Sequence, residues 1–421
     1  MSSDFYITTV LMGYGHLRAA DNVAGLGRGR LVRADQPPFA NLADVLVWRS
    51  SRDLYHVVSR TVETRLRFLF RALERIEDIP DDSKLASMEY SMLMRFLVRT
   101  GVGRGLRQLA VPSTSLRAGP SASLRARRSD IEPGGRACPP RLHTFFLPGL
   151  ACVYNRFPGK DYQLLCDADF HRVWAPIKPN DGDVTYLVPT AAGAGRLMSY
   201  GVAHERIVVT GFPLPIANTG GKNLEVLQSD FRERLERLSP QSDSPLRLVF
   251  ALSGAGCYLN LLKRLIRELL PELRSGKLTL AIAAGDNRRA KADIESHLAA
   301  LNARAGDGVT ILHAPDVLEA FALFNQALRE SDLLITKPGE LIFYAALGIP
   351  QVLLPPIGKH EFKNRDYLIE NRAALDLPGA DSAGAWLLTH RATGFWRRAA
   401  ESGFARLPKL GTFAINDAVQ P

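Results

Sequence analysis

The succession of short β-rich runs and helical patterns along this 421-residue chain predicts an α/β protein of two Rossmann-like domains facing each other across a cleft. Three observations carry that expectation. Nine β-rich runs alternate with helical stretches, the order that builds parallel sheets covered on both faces. The alternation stops in a segment dense in glycine and proline, residues 209–221, and then restarts. A glycine-rich turn follows the first strand of each half. The length agrees, because a single hydrophobic core stops growing at about 250–300 residues.

Taken in order, the first half opens on a strand over Tyr6–Met12. The leading MSSDFYITTVLMGYGH has no basic segment before its apolar stretch and no small-residue cleavage pattern after it. It therefore reads as that strand and not as a signal peptide. Residues 55–98 read as helical with a break near Pro80, and the stripe Met88, Met92, Phe96 has the spacing of a core-facing helix. Strands over Tyr162–Cys166, Val184–Val188 and Ile207–Thr210 complete the half. The boundary falls near residue 217, which gives an N-terminal domain of 1–217 and a C-terminal domain of 218–393. A charged helix, Leu224–Leu238, leads into strands over Leu246–Leu252, Leu278–Ala284, Val309–His313, Leu333–Thr336 and Gln351–Leu354. Helices over Leu259–Leu273, Arg288–Ala303 and Val317–Arg329 lie between them. Residues 394–421 form a helical tail, and its helix Phe395–Phe404 is expected to pack back toward the first domain.

The net charge of +10 is concentrated in one place. Residues 91–160 hold 12 Lys/Arg against Asp130 and Glu132, whereas 1–90 and 161–421 are each balanced. Such a segment meets nucleic acid, anionic lipid or an acidic substrate, or is simply a solvated insert. Inside it, PSTSLRAG (112–119) is followed by the near-identical PSASLRAR (120–127). These octamers cannot bury enough apolar surface to order themselves, so about 108–141 reads as a flexible basic insertion in a surface loop. Aromatic residues are sparse over 104–142, which ranks nucleic acid last among the partners. No apolar run reaches 18 residues, so no bilayer-spanning helix is expected and the cytoplasm is the default compartment. Cys138, Cys152, Cys166 and Cys257 show no paired spacing and read as core thiols, not as a zinc site or a disulfide framework.

Three motifs carry chemistry. Gly13-Tyr14-Gly15-His16 follows the first strand directly. Glycines at a strand-to-helix turn let a ligand approach the backbone, and the helix N-terminus favours negative charge. The third glycine of a dinucleotide fingerprint is missing. His16 at this turn serves as a general base, as a donor to a phosphate, or only as a helix cap. Ser253-Gly254-Ala255-Gly256 occupies the corresponding turn of the second half, on the other side of the cleft. The most specific stretch is 331–374, where a strand ends in Lys337-Pro338-Gly339 and a helix starts near Glu340. Backbone N–H groups at Gly339–Leu341 form an anion site there, and Lys337 adds positive charge. A polar loop, Gly358–Asn364, supplies donors and acceptors for a hydroxylated ligand. Asp167, Asp169 and His171 alternate along one strand end, as an acid/base, a hydrogen-bonded terminus or a metal group. Asn287 either contacts a ligand or closes an ordinary Asx turn.

Together these motifs resemble the GT-B glycosyltransferases, in the branch of the MurG-type N-acetylglucosaminyltransferases and monogalactosyldiacylglycerol synthases. The resemblance covers most of the chain outside the insertion and is strongest at 13–20, 165–215 and 331–374. Gly13–His16 matches that family's Gly-x-Gly-His turn, and Asp169–Trp174 loosely matches a stretch with aspartate, histidine and tryptophan. Val188-Pro189-Thr190, Gly201, Glu205-Arg206-Ile207 and Val209–Pro213 follow its next pattern. Two departures stand out. The family glutamate implicated in the nucleotide ribose falls on Phe343, in a segment two residues shorter, with Glu340 as the nearby substitute. Lys363 stands where the lipid galactosyltransferase pattern has glycine.

The resemblance implies an acceptor domain followed by a donor domain, with inverting, metal-independent transfer of a hexosyl group. The donor is a nucleotide sugar, by family a UDP-sugar, and the acceptor a lipid or other hydroxyl compound; no separate cofactor is implied. In that reading His16 is the catalytic base, with Asp169 as runner-up. Gly13, Gly15, Ser253, Gly254, Gly256, Asn287, Lys337, Gly339, Glu340, Glu361 and Asn364 form the donor site. Glu340 takes the ribose, and Glu361 and Asn364 orient the sugar hydroxyls. The basic segment and the helical N-terminal region suit a lipid acceptor at an anionic membrane, with the protein peripheral on its inner face. Two other classes stay open: an epimerase-like GT-B enzyme acting on sugar nucleotides, and a non-catalytic basic binding protein.

Overall fold

The computed structural model describes residues 4–61, 84–110, 138–252, 254, 256–303 and 306–419. The first sheet contains β1 (Phe5–Thr9), β2 (Gly29–Arg33), β3 (Arg141–His143), β4 (Asp161–Leu164), β5 (Val184–Val188) and β6 (Ile207–Val209). The second contains β7 (Leu246–Ala251), β8 (Leu278–Gly285), β9 (Val309–His313), β10 (Leu333–Thr336), β11 (Gln351–Leu353) and β12 (Ala374–Asp376). Every pairing is parallel. Central strands such as β1 and β10 are buried along their whole length, because helices cover both faces of each sheet.

The strand orders are β2-β1-β3-β4-β5-β6 and β12-β11-β10-β7-β8-β9. Counted from β7, the second order is the doubly wound one, reversing between β7 and β10. The first sheet reverses between β1 and β3. In such sheets ligands bind at the carboxyl ends beside the reversal. Both reversals open into one space between the domains, so the chain has the expected GT-B architecture of two Rossmann-like domains across a cleft.

Strands β2, β3 and β12 were not expected, and β3 shows why. Arg141, Leu142 and His143 are all buried. Arg141 donates to both Asp161 oxygens at 2.8 and 3.1 Å, while His143 meets Asp161 at 2.9 Å and the Thr8 hydroxyl at 2.6 Å. Pairing lets a polar strand sit inside, where an apolar pattern would have announced it. The expected insertion is bounded accordingly. Residues 108–110 belong to a 3₁₀ helix, Arg104–Ala110, and Arg141 opens β3. The two octamers lie outside the described residues.

The C-terminal crossing also differs from expectation. Helix Phe395–Arg406 packs on its own domain: a Cβ on Gly403 would lie 2.5 Å from the Ala345 carbonyl, and Phe404 stacks on Phe231 at 3.9 Å. The return to the first domain is made one helix later, by Gly411–Ala418. There Asn416 donates to the Val23 carbonyl at 3.1 Å, and Arg28 donates to the Asn416 carbonyl at 2.8 Å.

Candidate functional site

The space between the strand ends is a cleft of about 640 Å³. Its first wall is the turn after β1. Gly13 is extended and hands over to helix Tyr14–Ala24. The Tyr14 side chain crosses to the second domain, where its hydroxyl donates to Asp286. It can do so because Gly254 and Gly285 lack side chains. A Cβ on Gly254 would lie 3.1 Å from the Tyr14 ring, and one on Gly285, at φ +65°, would lie 2.2 Å from the phenol oxygen.

His16 is half-buried on the same turn, edge-on to Phe145 at 4.7 Å and tilted to Trp174 at 6.0 Å. Burial lowers its pKa below the ordinary imidazole value, although Asp167 and the Thr144 backbone act in the opposite direction. The ring is therefore neutral at pH 7, and its Nδ1 is buried without a hydrogen-bond partner. His171 also lines the cleft; its Nδ1 accepts the Val173 N–H at 3.2 Å, and burial and then Arg172 push its pKa down to about 4.

The opposite wall comes from β10 and the 3₁₀ helix Glu340–Leu347, with Gly339 at its N-terminus. Glu340 reaches across to Gly15, where a Cβ would meet Oε2 at 2.9 Å, and to Arg18 at 3.4 Å. Phe343 is buried against Phe212, stacked at 4.8 Å. Glu340 is thus the carboxylate that this helix presents to the cleft.

The expected polar loop Gly358–Asn364 is not a loop. Gly358 is extended and helix Lys359–Glu370 begins immediately after it. His360 lines the cleft, but Glu361 and Asn364 do not. Glu361 is buried in an ion pair with Lys337, and its other oxygen accepts the Ile357 N–H at 2.8 Å. Burial alone would raise its pKa; Lys337 and then His360 outweigh that and hold it below the usual carboxylate value. Asn364 is fully buried as a clamp between the domains. Its Oδ1 accepts the Ala168 N–H at 2.7 Å, and its Nδ2 donates to Asp167 at 2.8 Å and to the Pro338 carbonyl at 3.1 Å.

Of the expected site, the structure brings His16, Gly13, Gly15, Gly254, Lys337, Gly339 and Glu340 to one cleft. Asp169 is turned away and bound through both oxygens to Arg196 at 2.9 and 2.8 Å; Asp167, two residues earlier, lines the cleft instead. Asn287 caps helix Arg288–Ala300, accepting the Ala290 N–H at 2.9 Å, so the Asx alternative describes it. Gly256 holds a turn at φ +72° outside the lining, and Ser253 lies outside the described residues. Tyr14, inside the Gly-x-Gly-His motif, and Arg18, one turn later, also line the cleft, although the sequence reading gives neither a role. Phe145 and Phe146, directly after β3, build an aromatic wall that an apolar reading of HTFFLPG concealed.

Among the described residues one group has metal-ligand spacing, His143, Cys152 and Asp161, all buried beside β3. Arg141 already occupies Asp161, so a cation does not fit, and the group stands apart from the cleft.

In sequence, residues 221–307 and 299–370 match a domain of unknown function, DUF6938. No curated protein matches the chain. Among solved structures it is similar to MurG of Acinetobacter baumannii, with 14% identity over 99% of each chain and a TM-score of 0.49. It is also similar to S. aureus MnaA in a co-structure with UDP, at 12% identity over 99% of this chain and 96% of that one, TM-score 0.49. A third is the UDP-GlcNAc 2-epimerase of Neisseria meningitidis bound to UDP-GlcNAc, at 11% identity over 98% of each chain, TM-score 0.49.

Proposed function

We propose that the protein is an inverting, metal-independent glycosyltransferase that moves a hexosyl unit from a UDP-sugar to a hydroxyl of a lipid acceptor. One observation carries this reading. A single cleft sets backbone and cationic groups suited to a diphosphate, at Gly254, Gly339 and Lys337, opposite a neutral histidine set in an aromatic wall. As the diphosphate leaves, the backbone N–H groups at the helix end at Gly339 stabilise its growing charge, beside Lys337 in its pair with Glu361. His16, unprotonated at pH 7, takes the proton of the attacking hydroxyl. Asp167 beside it favours the imidazolium that results. Glu340 faces the ribose in place of the family glutamate.

The acceptor side is apolar, lined by Leu93, Met94, Leu97, Phe146 and Trp174. Helix Lys84–Arg99 exposes Met92, Leu93 and Phe96, against the core-facing reading of that stripe, and helix Leu42–Thr61 exposes Leu42 and Leu46. Arg49, Arg95 and Arg99 are exposed on the same two helices. Exposed apolar side chains and arginines carried on the same helices suit an anionic bilayer surface. An epimerase needs only the nucleotide-sugar half of the cleft and leaves this wall without a use. Calorimetric titration with UDP-, GDP- and ADP-sugars, followed by a product assay with hydroxylated lipids, tests the reading. Binding of no nucleotide sugar overturns it, and isomerisation of the sugar without an acceptor assigns an epimerase instead.

A further inference from the structure

We propose that Arg18 is an anion-binding residue that the first domain contributes to the donor site, taking a phosphoryl oxygen of the diphosphate on Nε and Nη1. The identity of the ligand rests on the glycosyltransferase reading; the anion site rests on Arg18 itself.

Arg18 lies one turn after Tyr14 on the first helix and lines the cleft that also holds Gly254, Lys337 and Gly339. It is only 5% exposed. Its guanidinium sits over the rings of Phe321 and Phe324, 4.1 and 4.7 Å from their centroids. Among the described residues its ion-pair partner is Glu340, 3.4 Å from Nε and out of line for a hydrogen bond. Nε and Nη1 are both buried with no hydrogen-bond partner. A buried cation with two unmade N–H bonds is costly, and the fork geometry of guanidinium matches phosphoryl oxygens. The chemistry points to an oxyanion that completes this side chain and competes with Glu340 for it. Because Arg18 belongs to the first domain and Gly339 to the second, a diphosphate bound to both holds the domains together.

The test is calorimetry on the full chain with UDP, uridine and inorganic pyrophosphate, on variants whose circular dichroism matches the parent. Arg18→Gln is expected to weaken UDP and pyrophosphate about 10- to 100-fold. Uridine should change by less than about twofold. Glu340→Gln removes the competitor and should tighten pyrophosphate, a probe with no ribose for Glu340 to hold. Unchanged pyrophosphate affinity in Arg18→Gln, an equal loss for uridine, or no pyrophosphate binding by the parent overturns the proposal. If Arg18→Gln does not fold, Glu340→Gln decides, and pyrophosphate that fails to tighten overturns it. Arg18-dependent pyrophosphate binding by a protein that takes no nucleotide sugar sinks the glycosyltransferase reading and leaves the anion site standing.

Discussion

Replacing Asn364 by alanine should loosen the two domains while leaving the cleft lining intact. The side chain is 0% exposed and makes three hydrogen bonds, two of them to the first domain. Bonds to the Ala168 N–H and the Pro338 carbonyl are neutral, each contributing about 0.5–1.5 kcal/mol net. The bond to the Asp167 carboxylate is charge-assisted and contributes about 1.5–3 kcal/mol. Losing all three costs about 2.5–6 kcal/mol, toward the lower end where water enters and the terms couple. The assay is urea unfolding of the ligand-free protein, followed by far-UV circular dichroism and by tryptophan fluorescence, to which Trp174 in the cleft contributes. Loss of the clamp should lower the first midpoint and separate the transitions of the two domains. If Asn364 only held a sugar, the ligand-free protein would change by less than about 0.5 kcal/mol. Such a small change with coincident transitions refutes the clamp.

Further outcomes are expected at three places in the molecule. His16→Ala should lower turnover about 10²–10⁴-fold with donor affinity kept in calorimetry. The parent's pH–rate profile should show an acid limb below the ordinary imidazole value of about 6.5, because burial lowers the His16 pKa; a limb at neutral pH contradicts the assignment. Glu361→Gln removes the carboxylate charge that pairs with Lys337 and should cost about 1.5–3 kcal/mol in chemical denaturation. Since the folded pKa of Glu361 is depressed, its stabilisation is full above the unfolded carboxylate value of about 4.3 and is lost as pH falls through the folded value. The variant should therefore lose less stability on acidification than the parent, and parallel curves refute the pairing. Leu46→Glu with Phe96→Glu should weaken flotation with anionic vesicles without moving the melting curve, since these side chains are 66% and 61% exposed. Equal flotation removes the membrane surface from the proposal.

Much of the architecture was legible because periodicity and punctuation are local. The runs over Leu246–Leu252 and Leu278–Ala284 are apolar, and both are buried strands in the structure. The edge strand β12 was not legible, because Ala374–Asp376 buries only its first residue and carries no β-branched or apolar run. The site was legible where backbone makes it. Gly13, Gly254 and Gly339 stand at strand-to-helix turns, and glycine between a strand pattern and a helical one marks such a turn in the sequence. It was illegible where a polar side chain had more than one partner to choose from. Glu361 looked like a ligand for hydroxyl groups and is spent on Lys337. Asp169 looked like a base and is spent on Arg196.

By itself, the sequence determined two parallel sheets, the turns at their carboxyl ends and the crevice those turns must share, because burial period and chain punctuation are properties of neighbouring residues. Only the tertiary structure decided which polar groups face that crevice. Tyr14 meets Asp286 across 272 positions of chain, and Asn364 meets Asp167 across 197. A hydrogen bond depends on distance and direction, and these are set when the two sheets dock, a step on which no local pattern reports.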